Sequence, residues 1–403
     1  MPNNTKIANQ LPNSIPIFSI VILVASPTSG EAGVYALPGG VDLTPNVSTK
    51  YLYDDNIART SAEPKSSRIA FGQLDLDFEA LYKTDRYAAS YSVTRGEYLD
   101  SETDDFTDQA LDISGSWEFS SRLNAELAGA VSDTHEARGT GYSQGVGDEL
   151  TRPRRYRESS ASAYVGYGFK DSPFRAELGW GARSLDYASR EDRQRDREGQ
   201  SVRLSGILAV GSNTDLIAEV VNAYNEYDLS ASDDTTLDSE QADYLIGINW
   251  VSGKTTMGLR FGRREKRFDA VSRSDFSGAR WQFDGSWSPV SYSTFELSTE
   301  RGAMEPLGFG DLLDTTLNRV GWQHAWTDSA STKLAYSWEK RSVQGGQFSG
   351  LEEVRTLGEV GFSYQVNHWL AMTGGYEQSE QASFNLSREY TRNLMHIGFA
   401  ISI

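Results

Sequence analysis

The chain has 403 residues, with 38 Lys+Arg against 56 Asp+Glu, a formal net charge of −18, no cysteine, 38% hydrophobic and 11% aromatic residues. Acidity of this degree repels phosphate backbones and argues against nucleic acid as a partner, and the missing cysteines exclude disulfides, thiolate nucleophiles and Cys-based metal centres. The aromatic content is wrong for disorder and the hydrophobic content is wrong for a helical membrane protein, while the length fits two or three soluble domains or one large barrel.

The N-terminus is read first. Lys6 precedes an apolar run from Ile15 to Ala25, followed by small and polar residues up to Gly33. About eleven apolar residues are too few for a spanning helix, which needs about 20. Residues 1–32 therefore read as a secretory signal peptide and leader, cleaved after Ala25 or near Ala32, and residues 33–403 as one domain.

That domain is organised by alternation. Val41, Leu43, Val47, Tyr51 and Tyr53 share one phase, and Asp42, Asn46, Ser48 and Lys50 the other. Period two marks a strand between an apolar and a wet environment. Leu74, Leu76 and Phe78 repeat the pattern, turn at Lys83-Thr84-Asp85, and continue as Tyr87, Ala89, Tyr91 and Val93. Similar pairs of segments follow to the last strand, which carries Met395, Ile397, Phe399, Ile401 and Ile403. The segments number about 18, each about 9–13 residues long, which suits a tilted membrane strand better than a globular one.

Tight polar turns alternate with long charged loops such as 54–67, 134–155, 187–200 and 226–241. A sandwich or propeller gives no reason for its two ends to differ in this way. The expected fold is all-β: a transmembrane antiparallel up-and-down β-barrel of about 18 strands, with short periplasmic turns, long extracellular loops, apolar residues outward and polar ones inward. Tyr82, Tyr87, Phe119, Phe169, Phe174, Trp250, Trp287, Trp326 and Trp369 stand near the short turns and read as an interfacial girdle. The expected location is the bacterial outer membrane.

Two resemblances refine this reading. The end of the chain, with His396, Gly398, Ile401 and Ile403 in phase, is similar to the terminal strand read by the barrel assembly machinery, but closes on Ile rather than Phe. Leu43-x-Pro45, then Tyr53-Asp54-Asp55-Asn56-Ile57 and Arg59, then Ile69-Ala70 through Leu74-Asp75-Leu76 and a Thr84-Asp85-Arg86-Tyr87 turn, resemble the opening of the outer-membrane β-barrel porins of bacterial exopolysaccharide and capsule loci. By motif the likeness covers about the first hundred residues, and by architecture the rest. It implies a conduit for exopolysaccharide or capsular polysaccharide across the outer membrane. Its expected partners are a periplasmic polysaccharide-export protein, the barrel assembly machinery, and outer-membrane lipid and lipopolysaccharide. A general diffusion porin for small solutes is the alternative, and an outer-membrane hydrolase a more distant one.

The phase opposite the apolar residues predicts the lumen. Its acidic members are Asp75, Asp77, Glu79, Asp112, Glu118, Glu126, Glu177, Glu219, Asp243, Asp284, Glu296 and Glu359, and its basic ones Lys50, Arg175, Arg183, Arg203, Arg260, Arg280 and Lys333. Acid-rich early strands facing basic later ones would set a transverse field across the channel; pairing across neighbouring strands would instead only stiffen the wall. Tyr164 and Tyr292 are among few aromatics expected inward, which argues against a sugar-binding track. Gly141-Tyr142-Ser143-Gln144-Gly145 matches G-x-S-x-G, yet lies in a glycine-rich loop rather than at a strand-to-helix turn, so no catalytic residue is assigned. Asp104-Asp105 and Asp233-Asp234 read as solvated acidic loops before cation sites, and Arg190 to Arg197 as a basic loop for lipid phosphate or an acidic polymer. No metal or cofactor is expected.

Overall fold

The computed structural model describes residues 33–168, 172–228 and 236–402. The expected signal segment, Phe169, Asp233-Asp234 and Ile403 lie outside the described residues.

The strands are β1 (Tyr35–Leu37), β2 (Val41–Asp54), β3 (Ser67–Tyr82), β4 (Asp85–Tyr98), β5 (Phe106–Glu118), β6 (Leu123–Glu136), β7 (Arg154–Tyr167), β8 (Phe174–Tyr187) and β9 (Arg197–Ala209). They continue with β10 (Thr214–Tyr227), β11 (Ser239–Ser252), β12 (Thr255–Phe268), β13 (Phe276–Val290), β14 (Ser293–Met304), β15 (Leu312–Ala325), β16 (Ala330–Gln344), β17 (Glu352–Asn367), β18 (Leu370–Ser383) and β19 (Tyr390–Ser402). Each pairs antiparallel with its chain neighbour, and β19 pairs with β2 from Leu394↔Asp54 to Ser402↔Asn46. The result is a closed barrel of 18 strands, β2 to β19, with β1 folded back on β2. An all-antiparallel ring closes only with an even number, and closure leaves no unpaired edge to face lipid.

The alternation places side chains as the sequence pattern requires. Leu127, Leu204 and Ile246 point outward and are 53%, 58% and 68% exposed, a belt that only lipid would cover. Tyr82, Phe119, Phe174, Trp287, Trp326 and Trp369 are exposed at the short-turn end. The strands are longer than the pattern predicts, at 12 to 16 residues, and the loops correspondingly shorter. At the loop end some strands are polar on both faces, as in Arg263-Arg264-Glu265-Lys266 of β12, and the ladder continues where period two can no longer be read.

Nine connections lie at the loop end: L1 (55–66), L2 (99–105), L3 (137–153), L4 (188–196), L5 (228–238), L6 (269–275), L7 (305–311), L8 (345–351) and L9 (384–389). The closing seam is tight. A Cβ on Gly398 would lie 2.4 Å from the Thr49 carbonyl oxygen and 2.7 Å from Lys50 Cγ. Gly398→Val is therefore expected to force β19 away from β2 at a cost of about 1–3 kcal/mol. The check is the fraction that keeps folded-barrel mobility on an unheated SDS gel, which should fall; an unchanged fraction would refute the strain.

Candidate functional site in the barrel lumen

The register carries the inner face from strand to strand. Asp77 is opposite Ser90, Ser90 opposite Asp112, and Asp112 opposite Ala130. Ser205 is opposite Glu219 and Asp243 opposite Arg264. Followed around the ring, this ladder puts each expected lumen residue, from Lys50 and Asp75 to Lys333 and Glu359, on the face opposite the apolar belt. On β19, His396 and Gly398 share that inner face and Ile401 points out.

Many inward charges pair across neighbouring strands, or across one intervening strand in the case of Arg175 on β8 and Asp215 on β10. Arg175 meets Asp215 at 2.6 Å, Arg183 meets Glu158 at 2.8 Å, Arg264 meets Asp243 at 2.6 Å and Arg280 meets Glu300 at 2.9 Å. Arg203 approaches Glu219 only to 3.8 Å, and Arg260 donates to Asn249 at 2.9 Å. Toward the short-turn end the inward acids Asp77, Asp112 and Glu118 are exposed.

The loop end is roofed. In L3, Arg138 donates to Asp104 of L2 in a buried pair, its Nε at 2.7 Å, and to the Leu150 carbonyl at 3.1 Å. Arg59 of L1 donates to the Arg138 carbonyl at 3.0 Å, and Arg388 of L9 to Gln144. Gly139, at φ 72°, lies so close to Ala58 that a Cβ would meet its carbonyl oxygen at 2.1 Å. Tyr142 reaches the far side, where Arg195 of L4 sits 4.2 Å over its ring. L3 thus crosses the mouth from the seam to the β8–β9 corner. L7 leans in as well: Glu305 pairs with Arg197 of β9 at 2.9 Å, and Phe309 packs on Phe348 of L8 and Phe384 of L9.

Beneath the roof lie two chambers. One, of about 480 Å³, lies beneath L3, walled by β2 to β9 and reached by residues of β14, β16, β17 and β19; the other, of about 340 Å³, runs from β7 to β16. Leu185, Arg197, Met304 and Glu305 line both, so the Arg197–Glu305 pair stands in the partition.

Several sequence expectations are corrected here. Tyr292 sits in the β13–β14 turn and is 54% exposed, not inward. Inward aromatics are more numerous than expected: Phe71, Tyr98, Phe106, Tyr156 and Tyr187 line the larger chamber. Arg195 and Arg197 turn into the mouth, onto Tyr142 and Glu305, rather than toward lipid phosphate. Asp104 is committed to Arg138 and Asp105 accepts from the Tyr98 amide at 2.7 Å. Ser143 of the G-x-S-x-G match is buried and donates to the Thr140 carbonyl at 2.7 Å. Asp186, Asp196 and Asp228 bring carboxylate oxygens within 4.8 Å of one another at the loop end. Burial, with Asp186 and Asp228 alongside, raises the Asp196 carboxyl above its usual value, and it already accepts from the Tyr187 amide at 2.6 Å.

The Asp54-Asp55-Asn56…Arg59 motif also acquires a physical role. Asp54 pairs with Arg392 at 2.8 Å, Asp55 accepts from the Asn393 amide at 2.7 Å, and Asn56 donates to the carbonyls of Thr60 at 2.8 Å and Thr391 at 2.9 Å. The motif fastens L1 to the last strand. Burial, with Arg392 alongside, lowers the Arg59 guanidinium from its ordinary value, and its Nη1 donates to the L3 carbonyl of Arg138.

A family model described as "Putative beta-barrel porin 2" matches residues 29–402. The chain belongs to that porin family. As a porin it is an outer-membrane protein, which makes the short-turn end periplasmic and the roof extracellular. Among solved structures, Pseudomonas aeruginosa OccK2 (OpdF), determined in complex with glucuronate, is 11% identical, with 90% of this chain and 98% of that one covered and a TM-score of 0.50. A BenF-like porin from Pseudomonas fluorescens Pf-5 is 12% identical over 92% and 100%, with a TM-score of 0.49. The copper transporter OprC is 12% identical with a TM-score of 0.46; 85% of the porin is covered, but it spans only 63% of that chain. Likeness at this identity concerns the barrel fold alone. No curated protein matches.

Proposed function

We propose that this porin is a diffusion channel for small hydrophilic solutes, restricted near its extracellular mouth. One observation carries the reading: L3 and the Arg197–Glu305 pair divide the outer part of the lumen into chambers of about 480 and 340 Å³. Spaces of that size hold a small solute, the usual scale of a ligand pocket, and interrupt any continuous bore for a polymer. An 18-stranded wall is wide enough for water, so the restriction comes from the loops.

Export of exopolysaccharide or capsular polysaccharide beside a periplasmic export protein is the second reading. In it a polymer arrives from the periplasmic side, and L3 must leave the mouth to let it out. In both readings the assembly machinery inserts the barrel and lipopolysaccharide surrounds the belt.

Proteoliposome swelling separates the two. Mono- and disaccharides are expected to enter at rates that fall steeply with size. In cells, deletion should slow small-solute uptake and leave surface polymer unchanged. Lost surface polymer with normal uptake would reverse the order of the readings.

A further inference from the structure

The larger chamber has a charge opposite to that of the chain. In a protein of net charge −18, five basic side chains line it, Lys50, Arg197, Arg341, Arg355 and Arg392, against the three acids Asp108, Glu136 and Glu305. Two of the arginines are held from behind: Arg392 by Asp54 and Glu377, each at 2.8 Å, and Arg341 by Glu339 at 2.8 Å. Lys50 differs. It is only 6% exposed, lines the chamber, and has neither an ion-pair nor a hydrogen-bond partner among the described residues; its ammonium stands 5.4 Å from the centre of the Phe71 ring.

An ammonium taken out of water without an acid is costly, unless an anion enters to pair with it. The surroundings restrict which anion. Phe71 and Tyr98 offer aromatic faces beside it, and Gln73, Thr94 and Thr134 offer hydrogen-bonding groups on the same lining. A flat apolar face, several polar groups and one unpaired cation together match a pyranose that carries a carboxylate: ring C–H groups against the aromatic face, hydroxyls on the polar side chains, carboxylate on the ammonium.

We propose that the larger chamber is a binding subsite for acidic sugars, with Lys50 pairing the carboxylate and Phe71 carrying the ring. This rests on the small-solute reading, because it names the solute class. It predicts that the porin retards uronic acids by binding them on their way through.

The test uses the full porin in detergent micelles, titrated with sodium glucuronate, glucose or sodium benzoate and followed by ligand-observed NMR. Glucuronate is expected to bind about tenfold more tightly than glucose, the effect of one charge-assisted contact. Lys50→Gln should remove that advantage and leave glucose unchanged, Lys50→Arg should keep most of it, and Phe71→Leu should weaken both sugars together. Gel mobility without heating confirms that each variant is folded. Equal glucuronate binding in wild type and Lys50→Gln would overturn the assignment, and so would benzoate binding more tightly than glucuronate, which would mark an aromatic-acid site instead. Planar-bilayer conductance, measured in parallel, reports on the channel itself. Ordinary ionic conductance without glucuronate binding defeats the subsite alone, whereas binding without conductance defeats the diffusion reading and leaves the subsite standing.

Discussion

Replacing residues 139–149 by a short glycine-serine linker is expected to raise single-channel conductance several-fold and to let solutes larger than a disaccharide into proteoliposomes. The wall itself is wide, and what narrows it is a loop anchored at four places: Asp104 in L2, Ala58 and Arg59 in L1, Arg388 in L9 and Arg195 in L4. Arg138 is the strongest single anchor, a buried charge paired with a buried charge. Arg138→Ala should give an intermediate result, a noisier current with brief high-conductance openings, because Asp104 is left buried without its cation and the loop loosens. The Arg197–Glu305 bridge survives the deletion, so adding Glu305→Gln should widen the path again. Conductance unchanged by the deletion would mean that L3 does not limit flow, and the small-solute reading would lose its main support.

Arg392→Met is expected to be the most damaging single substitution for stability. Arg392 is 2% exposed and pairs with Asp54 across the closing seam and with Glu377 on β18. Removing the guanidinium leaves the buried Asp54 and the half-buried Glu377 without a counter-charge, a loss of about 3–5 kcal/mol for a buried pair broken from one side. Adding Asp54→Asn and Glu377→Gln should recover a large part of it, because the damage lies in uncompensated charge more than in lost attraction. The midpoint of the heat-induced mobility shift measures both variants. A full-strength barrel in the Arg392→Met protein would show that the seam is held by its backbone ladder alone.

The barrel was legible because its signal is local. Leu74, Leu76 and Phe78 against Asp75, Asp77 and Glu79 state the two environments within six residues, and the following tight turn states the pairing. The roof was not, because each of its contacts joins distant parts of the chain and leaves no period to read. The inward aromatics fell between the two cases. At the loop end Tyr51-Leu52-Tyr53 and Ile69-Ala70-Phe71 are apolar on both faces, and that loss of alternation marks where the interior becomes greasy: Leu52, Ile69 and Leu394 cluster there, with Phe71 and Tyr98 against them. Reading nearly all apolar residues as lipid-facing, with Tyr164 and Tyr292 among few aromatics expected inward, hid this chamber. Ion pairing was equally hidden, since composition gives the sign of a wall but not the register that places Arg264 opposite Asp243.

The contact between Gln144 and Arg388 joins residues 244 positions apart, and Arg388 belongs to the connection leading into the final strand. Such a latch has no partner until the last connection stands beside L3. L1, L2 and L4 hold L3 without it, so the mouth is narrowed by three anchors and the fourth is set only as β19 closes the seam on β2.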